Sequence, residues 1–141
     1  MWDDGSWAHK RIDHDRLTRT YVFKTLIESG ANLTFGSDWT VAPLNPVTGI
    51  YAAVTRRTRD GKTPEGWYPI EKISVEDALK SYTINNAYAA FWENKTGSIT
   101  IGKYADFAVH SVNFLTAAPD EFLNSTVLRT VVAGKDYIFE K

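Results

Sequence analysis

The chain has 141 residues, of which 43% are hydrophobic and 23% charged, and its net charge is −1 at pH 7. This composition is typical of one ordinary globular domain, and the balanced charge gives no electrostatic reason to expect nucleic acid or an anionic membrane surface as a partner. The absence of cysteine excludes disulfides, thiolate nucleophiles and cysteine-ligated metals.

Neither a membrane span nor a signal peptide is indicated by the sequence. No apolar run approaches the roughly 20 residues that are needed to cross a bilayer. The first residues lack the basic start and apolar core of a signal peptide. The cytoplasm is therefore the expected compartment.

The first dozen residues show no periodic pattern and are expected to form a loop. Apolar residues then recur at helical spacing and stop at Gly30, which predicts a helix over about 13–29. His9 and His14 are five residues apart, so they are not the i, i+4 pair that presents two imidazoles on one helix face. They are expected to be exposed or capping residues.

A short apolar run over 32–35 follows and predicts a strand. Gly36 ends the run, and Asp38 lies on the turn beyond it. In parallel α/β folds the carboxyl ends of strands carry ligand-binding and catalytic residues, so Asp38 is a candidate catalytic carboxylate. The local sequence alone favours a simpler interpretation, an Asx turn or a helix-capping aspartate.

Asn45 and Pro46 have the pattern of an N-cap followed by proline in the first turn, which predicts a helix that begins there. Residues 58–73 are rich in glycine and proline and predict a long surface loop that carries Trp67 and Tyr68.

Ser74 is followed by two acidic residues and predicts the start of a further helix, with a second short helix ending near Trp92. From Gly97 the apolar period changes to two, which predicts a small β-sheet. The strand candidates are 98–101, 105–110, 126–132 and 136–139, with a hairpin turn at 133–135 and a single helical turn at 119–123.

Several of these segments carry a resemblance to a known family. They are 30–46 (GANLTFGSDWTVAPLNP), 49–58 (GIYAAVTRRT), 82–91 (YTINNAYAAF), 97–99 (GSI) and 102–107 (GKYADF). In this order they resemble the metal-dependent amidohydrolase superfamily and, within it, amidohydrolase family 3, which includes N-substituted formamide deformylase-like proteins. The resemblance covers nearly the whole chain but only the C-terminal portion of the family's sequence.

The resemblance implies an α/β fold in two parts. Residues 1–93 would supply the last strand and helices of a (β/α)₈ metallo-dependent hydrolase barrel, and residues 94–141 the C-terminal strands of a small composite β-sandwich. A complete barrel needs about 250 residues. The strand over 32–35 would need neighbours on both sides, so homo-oligomerisation or assembly with the missing N-terminal portion is expected.

The resemblance also implies the chemistry of the site. Asp38 would be a metal ligand and the catalytic carboxylate that moves a proton from water to the leaving amine, with Ser37 and Trp39 as substrate-binding neighbours. The complete enzyme would use a divalent metal, zinc, and hydrolyse a non-peptide C–N bond of a small amide-type molecule. The family's histidine ligands have no counterpart here, and His110 is expected to be structural. Because catalytic zinc usually has three protein ligands, the chain alone is expected to hold no metal and to be inactive.

Two other classes of function remain open at this point. One is a stand-alone α+β module that binds a small molecule without a metal, with the aromatic residues Trp39, Trp67 and Tyr68 lining its pocket. The other is a scaffold that only oligomerises.

Overall fold

The computed structural model of the chain describes residues 1–137. In this part of the chain five short helices precede a three-stranded antiparallel sheet, and a sixth lies between its first two strands. The helices α1 to α6 span His14–Leu17, Phe23–Glu28, Pro46–Thr55, Val75–Tyr82, Ile84–Ala89 and Pro119–Phe122, and the strands β1 to β3 span Phe107–His110, Val127–Val132 and Lys135–Tyr137.

The two longest helices begin at the caps that the sequence predicts. The Asn45 side chain accepts a hydrogen bond from the backbone N–H of Val47, and Pro46 occupies the first turn of α3. The Ser74 hydroxyl accepts a hydrogen bond of 3.0 Å from the backbone N–H of Asp77 at the start of α4. Local sequence is therefore sufficient to place both helices.

The single helix predicted over 13–29 is wrong, because the chain leaves the helical conformation at Tyr21. This residue has a φ of 54° and separates α1 from α2. Its carbonyl accepts a hydrogen bond of 2.7 Å from Nη1 of Arg56, and its ring meets that of Trp67 edge-on with 6.1 Å between centroids. Contacts with distant residues thus override the local helical periodicity.

The strand predicted over 32–35 belongs to no sheet among the described residues, because helices α4 and α5 occupy one of its edges. Three hydrogen bonds make this contact, from Phe35 N–H to the Ser81 carbonyl (3.0 Å), from Asn85 Nδ2 to the Leu33 carbonyl (2.9 Å) and from Asn86 Nδ2 to the Phe35 carbonyl (2.9 Å). The expectation of neighbouring strands on both sides stays a prediction, and within residues 1–137 this edge is held by helices α4 and α5.

The main hydrophobic core surrounds α3 and includes residues from both halves of the chain. Phe122 is completely buried, and Phe114 packs on it with 5.0 Å between ring centroids. Both lie in one cluster with residues of α3 and α4. The division of the chain between residues 93 and 94 stays a prediction. The buried members of the cluster are Val47, Ile50, Tyr51, Ala53, Ile73, Ala78, Phe114 and Phe122.

The segment over 58–73 is only partly a surface loop. Trp67 is 8% exposed and forms a second buried cluster with Ala8 and Leu17, while Tyr68 packs against this cluster. The loop therefore covers the N-terminal segment rather than projecting into solvent.

The sheet has the strand order β1-β2-β3 with both pairs antiparallel, and the predicted β2–β3 hairpin is confirmed. No strand forms over 98–101, where Ile99 and Ile101 are exposed. The last strand was expected over 136–139, and its end lies outside the described residues.

The three histidines take the positions expected of them. His9 and His14 are exposed. His110 ends β1, where its Nδ1 lies 3.2 Å from the Ser125 hydroxyl and its ring packs against Phe114. Burial lowers the pKa of His110, in agreement with a structural role. Within residues 1–137, no helix combines the length and the apolar character that a membrane crossing requires.

Gly49 in α3 is a position of close packing. A Cβ on this residue would lie 1.9 Å from the Tyr82 hydroxyl oxygen. Glycine lowers helix stability by about 1 kcal/mol relative to alanine. This cost is tolerated here because only a residue without a side chain leaves room for the Tyr82 ring.

We predict that Gly49→Ala lowers the free energy of unfolding by about 1–3 kcal/mol, because overpacking outweighs the gain in helix propensity. Urea unfolding would measure the change, and a double-mutant cycle with Tyr82→Ala should show that the two substitutions are coupled. Gly36→Ala is the control, since a Cβ there meets no atom within 4 Å. An increase in stability for Gly49→Ala would contradict the prediction.

Candidate active-site cleft

A cleft of about 330 Å³ lies between the segment that ends at Asp38, helix α3 and the first residues of the chain. Ser37 and Asp38 both line it. Its other walls include residues 1–4, the turn at Tyr21 and the ring of Tyr82. The structure thus places the predicted carboxylate in the wall of this cleft.

The Asp38 carboxylate makes no hydrogen bond and no ion pair with any residue of the described range 1–137. The backbone of Asp38 has a φ of 53°, a conformation that aspartate tolerates better than most residues, and its carbonyl accepts a hydrogen bond of 2.7 Å from Val41 N–H. The side chain therefore forms neither the Asx turn nor the helix cap that the local sequence favours. Its oxygens are available to a group from outside this part of the chain.

Among residues 1–137, the charged side chains that line the cleft are all carboxylates. Asp3 pairs with Arg59 at 3.2 Å, and Asp4 accepts a hydrogen bond from the Tyr21 hydroxyl, so both have partners within the chain. Asp38 is the one carboxylate of the lining without a partner among residues 1–137.

The aromatic residues singled out in the sequence do not line this cleft. Trp39 is 64% exposed and, like the buried Trp67 and its neighbour Tyr68, is absent from the lining. The substrate-binding roles of Ser37 and Trp39 stay predictions. The aromatic side chains that do line the cleft are Trp2, Tyr21, Phe23, Phe35 and Tyr82.

Arg56 fixes the wall of the cleft at Tyr21. The residue is completely buried, and its Nε and Nη1 donate to the carbonyls of Trp67 (3.0 Å) and Tyr21 (2.7 Å). Its guanidinium lies over the rings of Phe23 and Trp67, at 5.1 and 5.4 Å from their centroids. Burial lowers the pKa of Arg56 to about 10, although the charge of Glu71 opposes this shift. A buried cation therefore joins three segments that are remote in sequence.

The contribution of Tyr21 and Asp4 to the cleft was not predicted from the sequence. Tyr21 fell within the helix predicted over 13–29, and nothing in the local sequence links it to a carboxylate 17 residues away. Burial, together with the hydrogen bond to Asp4, raises the pKa of Tyr21 to about 12.

The residues present do not fit a complete metal site. Within the described range, no group of three histidine, cysteine, aspartate or glutamate side chains is placed to hold a metal ion. Asp38 supplies a single donor, whereas catalytic zinc usually takes three protein ligands.

We predict that Tyr21→Phe lowers the free energy of unfolding at pH 7 by about 1–2 kcal/mol, because the hydrogen bond to the Asp4 carboxylate is lost. The folded-state pKa near 12 exceeds the ordinary value of 10.0, so the Tyr21 contribution is fully present below pH 10 and lost as the pH rises towards 12. The stability difference between wild type and variant should therefore shrink over this interval.

Urea unfolding at several pH values from 8 to about 11.5 measures this difference. Tyr88→Phe is the matched control, since the Tyr88 hydroxyl is exposed and makes no hydrogen bond with residues 1–137. A stability difference that does not change with pH would contradict the assignment.

Comparisons with known proteins agree with the resemblance in the sequence. The family whose model matches residues 1–136 is described as the amidohydrolase family. Protein LONG AFTER FAR-RED 3 of Arabidopsis thaliana is 39% identical over 139 residues, a match that covers 96% of this chain and 23% of that protein. N-substituted formamide deformylase of Arthrobacter pascens is 30% identical over 128 residues, which are 91% of this chain and 22% of the enzyme.

A solved structure has the same fold over most of the chain. An uncharacterised metal-dependent hydrolase of Pyrococcus horikoshii OT3 matches with a TM-score of 0.68 and 26% identity, over 81% of this chain and 23% of that protein. The chain thus spans less than a quarter of the length of each of these relatives. Because the family model covers nearly every residue, the chain belongs to the amidohydrolase family.

Proposed function

We propose that this chain contributes Asp38, as a catalytic carboxylate, to a metal-dependent amidohydrolase that cleaves non-peptide C–N bonds in small amide-type molecules. The observation that carries the proposal is the Asp38 carboxylate, which lines the cleft without a partner among residues 1–137. Membership of the amidohydrolase family favours this function over a metal-free binding module. The name of the Arthrobacter pascens relative, N-substituted formamide deformylase, supports an N-substituted amide as the substrate class.

Asp38 has the chemistry that this reaction requires. A carboxylate within reach of a water molecule accepts a proton as that water attacks the carbonyl carbon, and returns the proton to the nitrogen as the C–N bond breaks. Ser37 lines the cleft next to Asp38 and would contact the substrate, and the exposed Trp39 would meet a substituent outside the cleft.

A divalent metal ion, with zinc as the first candidate, belongs to the proposal only for the complete site. Asp38 would be the ligand that this chain provides. The remaining ligands would have to come from residues other than those described here, since one carboxylate is too few for catalytic zinc.

The architecture of the complete protein is part of the same proposal. Residues 32–35 would be the last strand of a (β/α)₈ barrel formed with the helices of residues 1–93, in which Ser81, Asn85 and Asn86 interrupt strand pairing at one edge of this segment. Residues 94–141 would add strands to a composite β-sandwich. The backbone groups of Asn32, Thr34 and Gly36 make no hydrogen bond with the described residues, which supports a neighbouring strand at this edge. That strand would come from another part of the protein or from a second copy.

We predict that Asp38→Asn abolishes most of the hydrolysis by the longest natural polypeptide that contains this sequence. Loss of a positioned acid-base group typically lowers the rate by about 10²–10⁴-fold, and the asparagine variant keeps the shape of the side chain. The measurement is release of amine from a panel of N-substituted formamides and other N-acyl amines, with Zn²⁺ added. Asp15→Asn, at an exposed position outside the cleft, is the control for the same change of charge. Wild-type activity in Asp38→Asn would overturn the proposal.

A separate prediction concerns the 141-residue chain by itself. It should release no amine from the same panel and retain no stoichiometric Zn²⁺ after dialysis, because the described residues bring no group of three suitable ligands together. Atomic absorption and the amine assay measure the two properties. Turnover by the isolated chain that disappears in Asp38→Ala would show that the chain is sufficient.

A further inference from the structure

The position of Asp38 in the cleft is set by its backbone. The carboxylate has no partner among the described residues, so no side-chain contact within them holds it in place. What fixes the segment before Asp38 therefore also fixes the carboxylate.

Three hydrogen bonds from α4 and α5 hold this segment. Phe35 N–H donates to the Ser81 carbonyl at 3.0 Å, and the carbonyl of Phe35 accepts from Asn86 Nδ2 at 2.9 Å. One step earlier, the Leu33 carbonyl accepts from Asn85 Nδ2 at 2.9 Å. Both backbone groups of Phe35, three residues before Asp38, are thus engaged.

The two asparagines replace part of a neighbouring strand. In extended chain, the N–H and C=O groups of one residue point to the same side, and alternate residues repeat about every 6.6 Å. Asn85 and Asn86 are consecutive in α5 and reach two carbonyls with this spacing. The first turn of α5 therefore bonds the carbonyls on the side of the segment to which Leu33 and Phe35 point.

The chemistry of these two contacts requires a side-chain amide. A carbonyl oxygen only accepts hydrogen bonds, so each asparagine must present its NH₂ group to it. Aspartate has the same shape but would place a carboxylate oxygen against the carbonyl. The Asn→Asp substitution therefore removes the donor and adds repulsion while leaving the packing volume nearly unchanged.

We propose that Asn85 and Asn86 are positioning residues, whose side-chain amides hold the segment over 33–37 so that Asp38 faces the cleft. This inference rests on the proposed role of Asp38. It assigns to α5 a function in the reaction although neither asparagine lines the cleft.

The test uses the longest natural polypeptide that contains this sequence, with the variants Asn86→Asp, Asn86→Ala and Asn85→Asp. Asn94→Asp is the matched control, because Asn94 lies exposed just beyond α5 and makes no hydrogen bond with residues 1–137. Steady-state kinetics give kcat and KM for amine release, and hydrogen exchange read by mass spectrometry gives the protection of residues 33–38.

For Asn86→Asp we expect kcat to fall by about ten-fold or more with KM changed by less than about three-fold, since the carboxylate is displaced while most of the cleft remains. Protection of residues 33–38 should fall by a similar factor. Asn86→Ala should lose less activity than Asn86→Asp, because it leaves no charge against the Phe35 carbonyl. A role in packing alone predicts the opposite order, since alanine leaves a cavity and aspartate does not.

The inference is overturned if Asn86→Asp matches Asn94→Asp in kcat and in exchange, or if Asn86→Ala is the more damaging variant. The Asp38→Asn variant separates this failure from that of the proposed function. If Asp38→Asn is fully active, the proposed function fails, and exchange at residues 33–38 still decides whether the two amides hold the segment.

Discussion

The buried guanidinium of Arg56 is the interaction on which the arrangement of the helices depends. It lies at the end of α3 and donates to the carbonyls of Trp67 and Tyr21, so it joins the end of that helix to the loop over 58–73 and to the turn before α2. One of its nitrogens, Nη2, has no hydrogen-bond partner within residues 1–137. Burying an arginine that keeps one unpaired nitrogen is unfavourable. The two hydrogen bonds and the contacts with the rings of Phe23 and Trp67 offset this cost. Together with the contacts of the Tyr21 side chain with Asp4 and Trp67, this bond holds the turn between α1 and α2.

The features that sequence predicted well are those whose cause is local. Asn45 with Pro46, and Ser74 with its acidic followers, carry their capping partners within three residues, and α3 and α4 begin where these residues place them. The helix predicted over 13–29 failed because the contact that breaks it comes from Arg56, 35 residues further along the chain. Trp67 was also misplaced because its contacts are distant in sequence. Its glycine and proline neighbours predicted a surface loop, but packing against the N-terminal segment buries it.

The candidate site likewise contains one residue that the sequence indicated and several contacts that it did not. For Asp38 the local sequence alone favoured a turn or a helix cap, and it was the resemblance to the amidohydrolases that indicated a catalytic carboxylate, which the structure places at a cleft. The pair of Tyr21 and Asp4, and the contacts of Asn85 and Asn86 with the segment over 33–35, could not be read from the sequence. The two asparagines bond backbone carbonyl groups about 50 residues earlier in the chain. Every residue has such a carbonyl, so no sequence pattern marks which ones the asparagines will contact.

The closed edge of the segment before Asp38 also bears on how copies of this chain can associate. Continuous stacking of strands from successive molecules requires each strand to pair on both sides. Here Ser81, Asn85 and Asn86 already bond backbone groups of Leu33 and Phe35 on one side, so within residues 1–137 only the other side is open to an incoming strand. An extended segment with one edge already bonded is a poorer template for open-ended strand addition than one with both edges free.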